Sequence, residues 1–207
     1  STAGVLVDTT ATEVASVSVA ANATYVAGQA LSFTVNFDEN VTVVGTDSTL
    51  ALTIGATART AAYASKTANS ITYTYTVQAG EADADGVTVG ALSKGSSTIR
   101  DAAGNDAVLT LNSVGATGGV FVDATVPTVS GNISVPTGGM YVAGQTLSFT
   151  VTFDENVTLS GSPSTLGLTI GGATRSADIT DATGNSITYS YTVQASDNDA
   201  DGIAVTG

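Results

Sequence analysis

The sequence predicts an all-β chain built as two tandem β-sandwiches, on three observations. Apolar and polar residues alternate with a period of two, and no stripe of helical period appears. Gly (23 residues), Thr, Val, Ser and Ala dominate, a composition suited to short strands joined by turns. Residues 25–89 recur as residues 141–205 with about two thirds of the positions identical, so the two copies share one fold.

The strands follow in chain order. Residues 14–19 form the first. In 30–37, Leu31, Phe33, Val35 and Phe37 point one way while Ser32, Thr34 and Asn36 point the other, as in a strand with one buried face. Residues 49–54 and 58–63 come next. In 71–77 the pattern returns, with Ile71, Tyr73, Tyr75 and Val77 set against Thr72, Thr74 and Thr76. Strands at 87–92, 107–111 and 119–122 complete the unit. Ala27-Gly28-Gln29, Asp85-Gly86 and Gly104-Asn105 supply turns between them. Copy two keeps both alternating sets, as Leu147, Phe149, Val151, Phe153 and as Ile187, Tyr189, Tyr191, Val193. Seven or so strands per ~100 residues indicate immunoglobulin-like Greek-key sandwiches.

The boundaries come from the repeat itself. Asp8 opens copy one in Val7-Asp8-Thr9-Thr10, and Asp123 opens copy two in Val122-Asp123-Ala124-Thr125. Repeat one is therefore 8–122 and repeat two 123–207, which stops about 30 residues short of a full unit and so lacks its last strands. Residues 1–7 match residues 116–122 and read as the tail of a preceding repeat.

Composition excludes several functions. Eighteen acids against five bases give a net charge of −13, unsuited to nucleic acid or anionic membranes and suited to divalent cations. No apolar run is long enough to insert directly into a bilayer. Without Cys there is neither a disulfide framework nor a thiolate metal site, and without His or Cys the usual nucleophile and base pairings are missing. The chain is expected not to be an enzyme. Tyr73, Tyr75, Tyr189 and Tyr191 share the phase of core residues, so packing explains them better than a sugar platform.

Every acidic cluster falls in an expected loop: Asp38-Glu39, Glu81-Ala-Asp83-Ala-Asp85-Gly86, Asp101-Ala-Ala-Gly-Asn105-Asp106, and the linker residues Asp8 and Asp123. Copy two repeats Asp154-Glu155 and Asp197-Asn-Asp199-Ala-Asp201-Gly202. Taken singly, such loops are ordinary solvated turns. Together they supply the oxygen donors that Ca²⁺ requires. Strand parity places Asp38-Glu39 near Asp8, and Asp83-Asp85 near Asp123. Glu81, Asp83, Asp85, Asp123, Asp154 and Glu155 are then expected at one boundary, where Ca²⁺ would relieve the repulsion. An added hairpin between Val87 and Arg100 would change which end receives the 101–106 loop.

In this order and spacing the motifs resemble the tandem bacterial immunoglobulin-like repeats of giant surface adhesins and cell-surface motility proteins. The resemblance covers the whole chain. It implies cadherin-like Ca²⁺ binding between modules, with Asp8 and Asp123 as linker ligands, Asp83 and Asp85 as paired loop acids, and Glu39 and Glu155 as ligands from the following module. Copy two departs in lacking an Asp-Ala-Ala-Gly-Asn loop. The function expected is that of an extracellular structural extender at the cell surface, stiffened by Ca²⁺ and partnered by neighbouring repeats. The alternatives are a binding module for glycan, ice or another cell, and a filament subunit that self-assembles by strand addition through residues 1–7.

Overall fold

A computed structural model describes residues 7–161 and 164–206. The chain divides between Thr125 and Val126 into two compact units. Both are all-β, the first a two-layered sandwich and the second built on one five-stranded sheet, and no helix occurs among the described residues.

The first unit holds β1 (Val14–Ser18), β2 (Ala23–Tyr25), β3 (Ala30–Phe37), β4 (Thr42–Val44), β5 (Thr49–Ile54), β6 (Thr57–Lys66), β7 (Ser70–Thr76), β8 (Ala82–Asp83), β9 (Thr88–Ser93), β10 (Thr98–Arg100) and β11 (Val120–Asp123). Six of them form one sheet in the order β1-β3-β7-β6-β5-β9. Within it β5, β6 and β7 make a meander and β3 returns beside β7, which is a Greek key. The opposing layer consists of two small sheets, β10-β4 and β2-β11-β8. One apolar cluster joins the layers: Leu31, Phe33, Val35 and Tyr73 from the large sheet meet Ile99, Val120 and Val122 from the small ones. The alternation read in β3 is the burial pattern observed, since Leu31, Phe33 and Val35 are 0% exposed.

The second unit repeats the large sheet with β12 (Thr146–Thr152), β13 (Thr165–Ile170), β14 (Ala173–Thr183), β15 (Ser186–Thr192) and β16 (Ala204–Thr206), in the order β12-β15-β14-β13-β16. Its core gathers Leu147, Phe149, Leu168, Ile187, Tyr189 and Tyr191.

Two sequence readings change, and a third lies beyond the described residues. The strand expected at 107–111 is not formed. Its backbone instead divides its bonds between neighbours, Ala107 N–H donating to Ile99 and Val108 N–H to Thr12, and only isolated bridges result. Four strands went unseen, β2, β4, β8 and β10, each of two or three residues and too short to show a period. The first unit thus has more strands than the seven expected. Residues 1–6 of the expected leading tail lie outside the described residues.

Candidate functional site

β3 ends and β7 begins at the same end of the first unit, so β7 carries the chain from the Asp38 loop to the opposite end. The acids therefore fall into two groups.

The group at the start of the unit is built from three segments. Asp38 accepts from the Thr12 hydroxyl and the Glu13 N–H, both at 2.9 Å, which pins the loop after β3 to the approach to β1. The Glu13 N–H first and the Thr12 hydroxyl second hold its carboxyl below the usual carboxylate range. Asp101 is buried, and one of its oxygens takes the N–H groups of Gly104 (2.7 Å) and Asn105 (2.9 Å), the other the Asn105 side chain (2.8 Å). Loss of water works against its ionisation, yet these donors outweigh that loss and leave the carboxyl low. The Asn105 amide also donates to the carbonyls of Asp8 (3.3 Å) and Thr10 (3.2 Å), tying the 101–106 loop to the chain entry. Asp8 itself accepts the Thr10 N–H. Glu39 completes the group. Its carboxyl is pushed up by loss of surrounding water and then by the charges of Asp101, Asp8 and Asp38. Asp106 turns aside to Arg100 at 2.7 Å, and that guanidinium lowers its carboxyl.

The opposite end holds the 81–86 loop. Glu81, 7% exposed, accepts from the Tyr75 hydroxyl at 2.6 Å, from Arg59 Nε and from the Gln78 N–H at 2.8 Å. Burial opposes its ionisation, but Tyr75, Arg59 and Gln78 together bring the carboxyl below the usual range. Asp83, 4% exposed, accepts from Gly55 N–H at 2.6 Å and Gly86 N–H at 2.7 Å. Gly55 opens the two-residue turn joining β5 to β6 with φ +55°, a value that suits glycine. Asp83 thereby locks the loop onto that turn. Ala82 stands opposite Asp123 in the β8–β11 ladder, so Asp123 lies at this end too, accepting the Thr125 hydroxyl at 2.7 Å. Asp85 is exposed.

The second unit reproduces both devices. Asp154 takes the Thr128 hydroxyl (2.5 Å) and N–H (2.8 Å), and Thr128 lowers its carboxyl, the hydroxyl first. Asp197 replaces Glu81 and accepts from Tyr191 (2.7 Å), Gln194 N–H (2.8 Å) and Arg175 Nε (2.9 Å). Its carboxyl is lowered, chiefly by the Tyr191 hydroxyl. Asp199 caps Gly171 and Gly202, both at 2.7 Å, and those N–H groups lower its carboxyl. Glu155 is half-buried and Asp201 exposed.

Of the expected ligands, then, Asp38, Glu81, Asp83, Asp101, Asp154, Asp197 and Asp199 hold their own loops together, while Glu39, Asp85 and Asp201 are exposed. Among the described residues no group of three or more acids is gathered as it stands into a set that could hold a metal.

Sequence reasoning missed Arg59 and Arg175. A signal was present: Arg59 recurs as Arg175 in a stretch, 56–66, where nearly every other residue changes between copies.

No family model matches the chain, and no curated protein matches it.

Proposed function

We propose that this chain is a structural extender, a repeated unit of a long extracellular adhesin or surface filament, with Ca²⁺ held by its loop acids adding stiffness. The observation that carries the reading is the doubled set of bonds. Thr12-Asp38, Arg59-Glu81-Tyr75 and Gly55-Asp83-Gly86 return as Thr128-Asp154, Arg175-Asp197-Tyr191 and Gly171-Asp199-Gly202. The polar groups kept in both copies are spent on fixing loop shape, as expected of a part that acts through its form and its number. The acids left over are hard oxygen donors of the kind Ca²⁺ takes. Glu39, crowded by Asp8, Asp38 and Asp101, is where a divalent cation would relieve most repulsion.

Small-angle scattering and calorimetric titration of the 207-residue chain test the reading together. Saturable calcium binding, with a maximum dimension that differs between calcium and chelator, supports it. No heat and no change in dimension would remove the calcium part.

A further inference from the structure

An aspartate stands directly before a glycine at two places, Asp85-Gly86 and Asp201-Gly202, which occupy the same position in the two copies. This step is the least protected that an aspartate can make, because a glycine has no β-carbon to screen its nitrogen from the γ-carbon of the residue before it. Asp85 and Asp201 are exposed, and neither forms an ion pair among the described residues.

The glycine nitrogens are not free. Gly86 N–H donates to Asp83 Oδ1 at 2.7 Å, and Gly202 N–H donates to Asp199 Oδ1 at 2.7 Å. In each copy the acceptor stands two residues before the exposed aspartate and is fixed from outside its own loop. Asp83 takes the Gly55 N–H at 2.6 Å, and Asp199 takes the Gly171 N–H at 2.7 Å. In the first unit Asp83 is 4% exposed, and the following peptide is pinned as well, Val87 N–H donating to Val120 O at 3.1 Å. Nor can the glycine be exchanged. Gly86 has φ +104°, and a β-carbon there would lie 2.4 Å from the Thr117 carbonyl oxygen. The fold requires the reactive pair and carries a guard beside it.

We propose that Asp85 and Asp201 are sites of spontaneous conversion to isoaspartate, held shut in the folded protein by the Asp83 and Asp199 caps. In the first step the Gly86 nitrogen bonds to Asp85 Cγ and gives up its hydrogen, the protonated carboxyl gives up its hydroxyl, and the two leave as water. The resulting five-membered imide then takes back one water. Breaking the nitrogen–Cγ bond restores aspartate. Breaking the bond from nitrogen to the main-chain carbonyl leaves the backbone running through the side chain, one methylene longer. Neither oxidant nor enzyme enters.

The imide nitrogen bears no hydrogen, so the Gly86–Asp83 bond must be lost before the ring is complete, and a buried carboxylate oxygen is left without its donor. Bonds of this charged kind are strong enough to slow ring closure about tenfold or more. Once formed, isoaspartate lengthens the backbone beside Gly86, where Thr117 and Gly118 leave no room, and so loosens the loop from the chain leading into β11. The modification needs no calcium and stands apart from the extender reading.

Storage of the 207-residue chain in chelator near neutral pH, followed by digestion and mapping of isoaspartate by peptide retention and by enzymatic methylation, tests the proposal. A synthetic peptide of residues 80–90 gives the unguarded rate at Asp85. The folded chain should isomerise there about tenfold more slowly than the peptide, and the chain unfolded in guanidinium should match the peptide. Asp83→Ala should raise the rate at Asp85 towards that of the peptide, with Asp201, whose cap is untouched, as the control in the same molecule. Asp85→Ala should remove the product from that segment. If Asp83→Ala does not fold, the folded and unfolded parent decide the matter by themselves. A folded chain that isomerises at Asp85 as fast as the peptide, or a folded Asp83→Ala variant that isomerises no faster than the parent, overturns the proposal. A failed calcium titration leaves it untouched.

Discussion

The Tyr75 hydroxyl donates to Glu81 at 2.6 Å, and Tyr191 donates to Asp197 at 2.7 Å in the same place of the second unit. The acid changes length between the copies and the bond persists. Arg59 and Arg175 approach the same carboxylates from the neighbouring strand, β6 or β14, so each loop is tied to two strands of the large sheet by one side chain.

Glu81→Ala should therefore lower stability by about 1–3 kcal/mol, because it leaves the partly buried Tyr75 hydroxyl and the Gln78 N–H without their acceptor. Asp197→Ala should cost about as much, since its side chain is as well buried as that of Glu81, 2% against 6% exposed, and its loss strands the Tyr191 hydroxyl and the Gln194 N–H in the same way. Urea unfolding of the two variants gives the comparison.

The glycine pair makes a second contrast. Gly86 and Gly202 have φ +104° and +110°, a region costly for any side chain by about 1–3 kcal/mol. Gly86→Ala adds a collision with residues 117–118, and Gly202→Ala does not. The first variant should melt earlier than the second. Equal melting shifts would mean that the strand and loop separate easily.

Acid should unfold the protein. Asp38, Glu81, Asp101, Asp106, Asp154, Asp197 and Asp199 all have folded-state values below their ordinary ones. A lowered carboxyl contributes stability that is present above its unfolded value, about 4, and lost as pH falls through the folded value. The melting temperature should be flat from pH 7 to 5 and fall below about pH 4. A rise in melting temperature on acidification below pH 4 would contradict the hydrogen-bond assignments.

Glu39 runs the other way. Its carboxyl is raised, so the ionised form is disfavoured in the folded state, and the cost appears as pH rises through the folded value. At pH 7 in chelator, Glu39→Gln should raise the melting temperature. In saturating calcium the same change should lose part of the calcium-induced shift, since binding to the folded state alone is what produces that shift.

The large sheet was legible because β3, β5 and β7, with their copies, are long enough for a period of two to show against a polar background. The small sheets were not. β8 is two residues long, and it exists because Asp83 caps the Gly55 turn and Ala82 faces Asp123, a relation between segments distant in sequence. The grouping of acids by end was legible from strand direction alone, as Asp38 with Asp8 and Asp83 with Asp123. Their employment was not: an Asp that caps a turn and an Asp that awaits an ion are the same letter, and only the donors around Asp83 and Asp101 separate them.

β11 closes the first unit with residues that lead straight into the segment joining the two units. Tension applied through that segment pulls along the axis of β11, and the bonds on its two flanks lie across that axis. They must be sheared together rather than peeled one by one. The strand that completes the core is therefore also the mechanical latch of the unit, and its rupture force, a kinetic quantity set by the unfolding barrier, determines how hard the chain can be pulled before that unit opens.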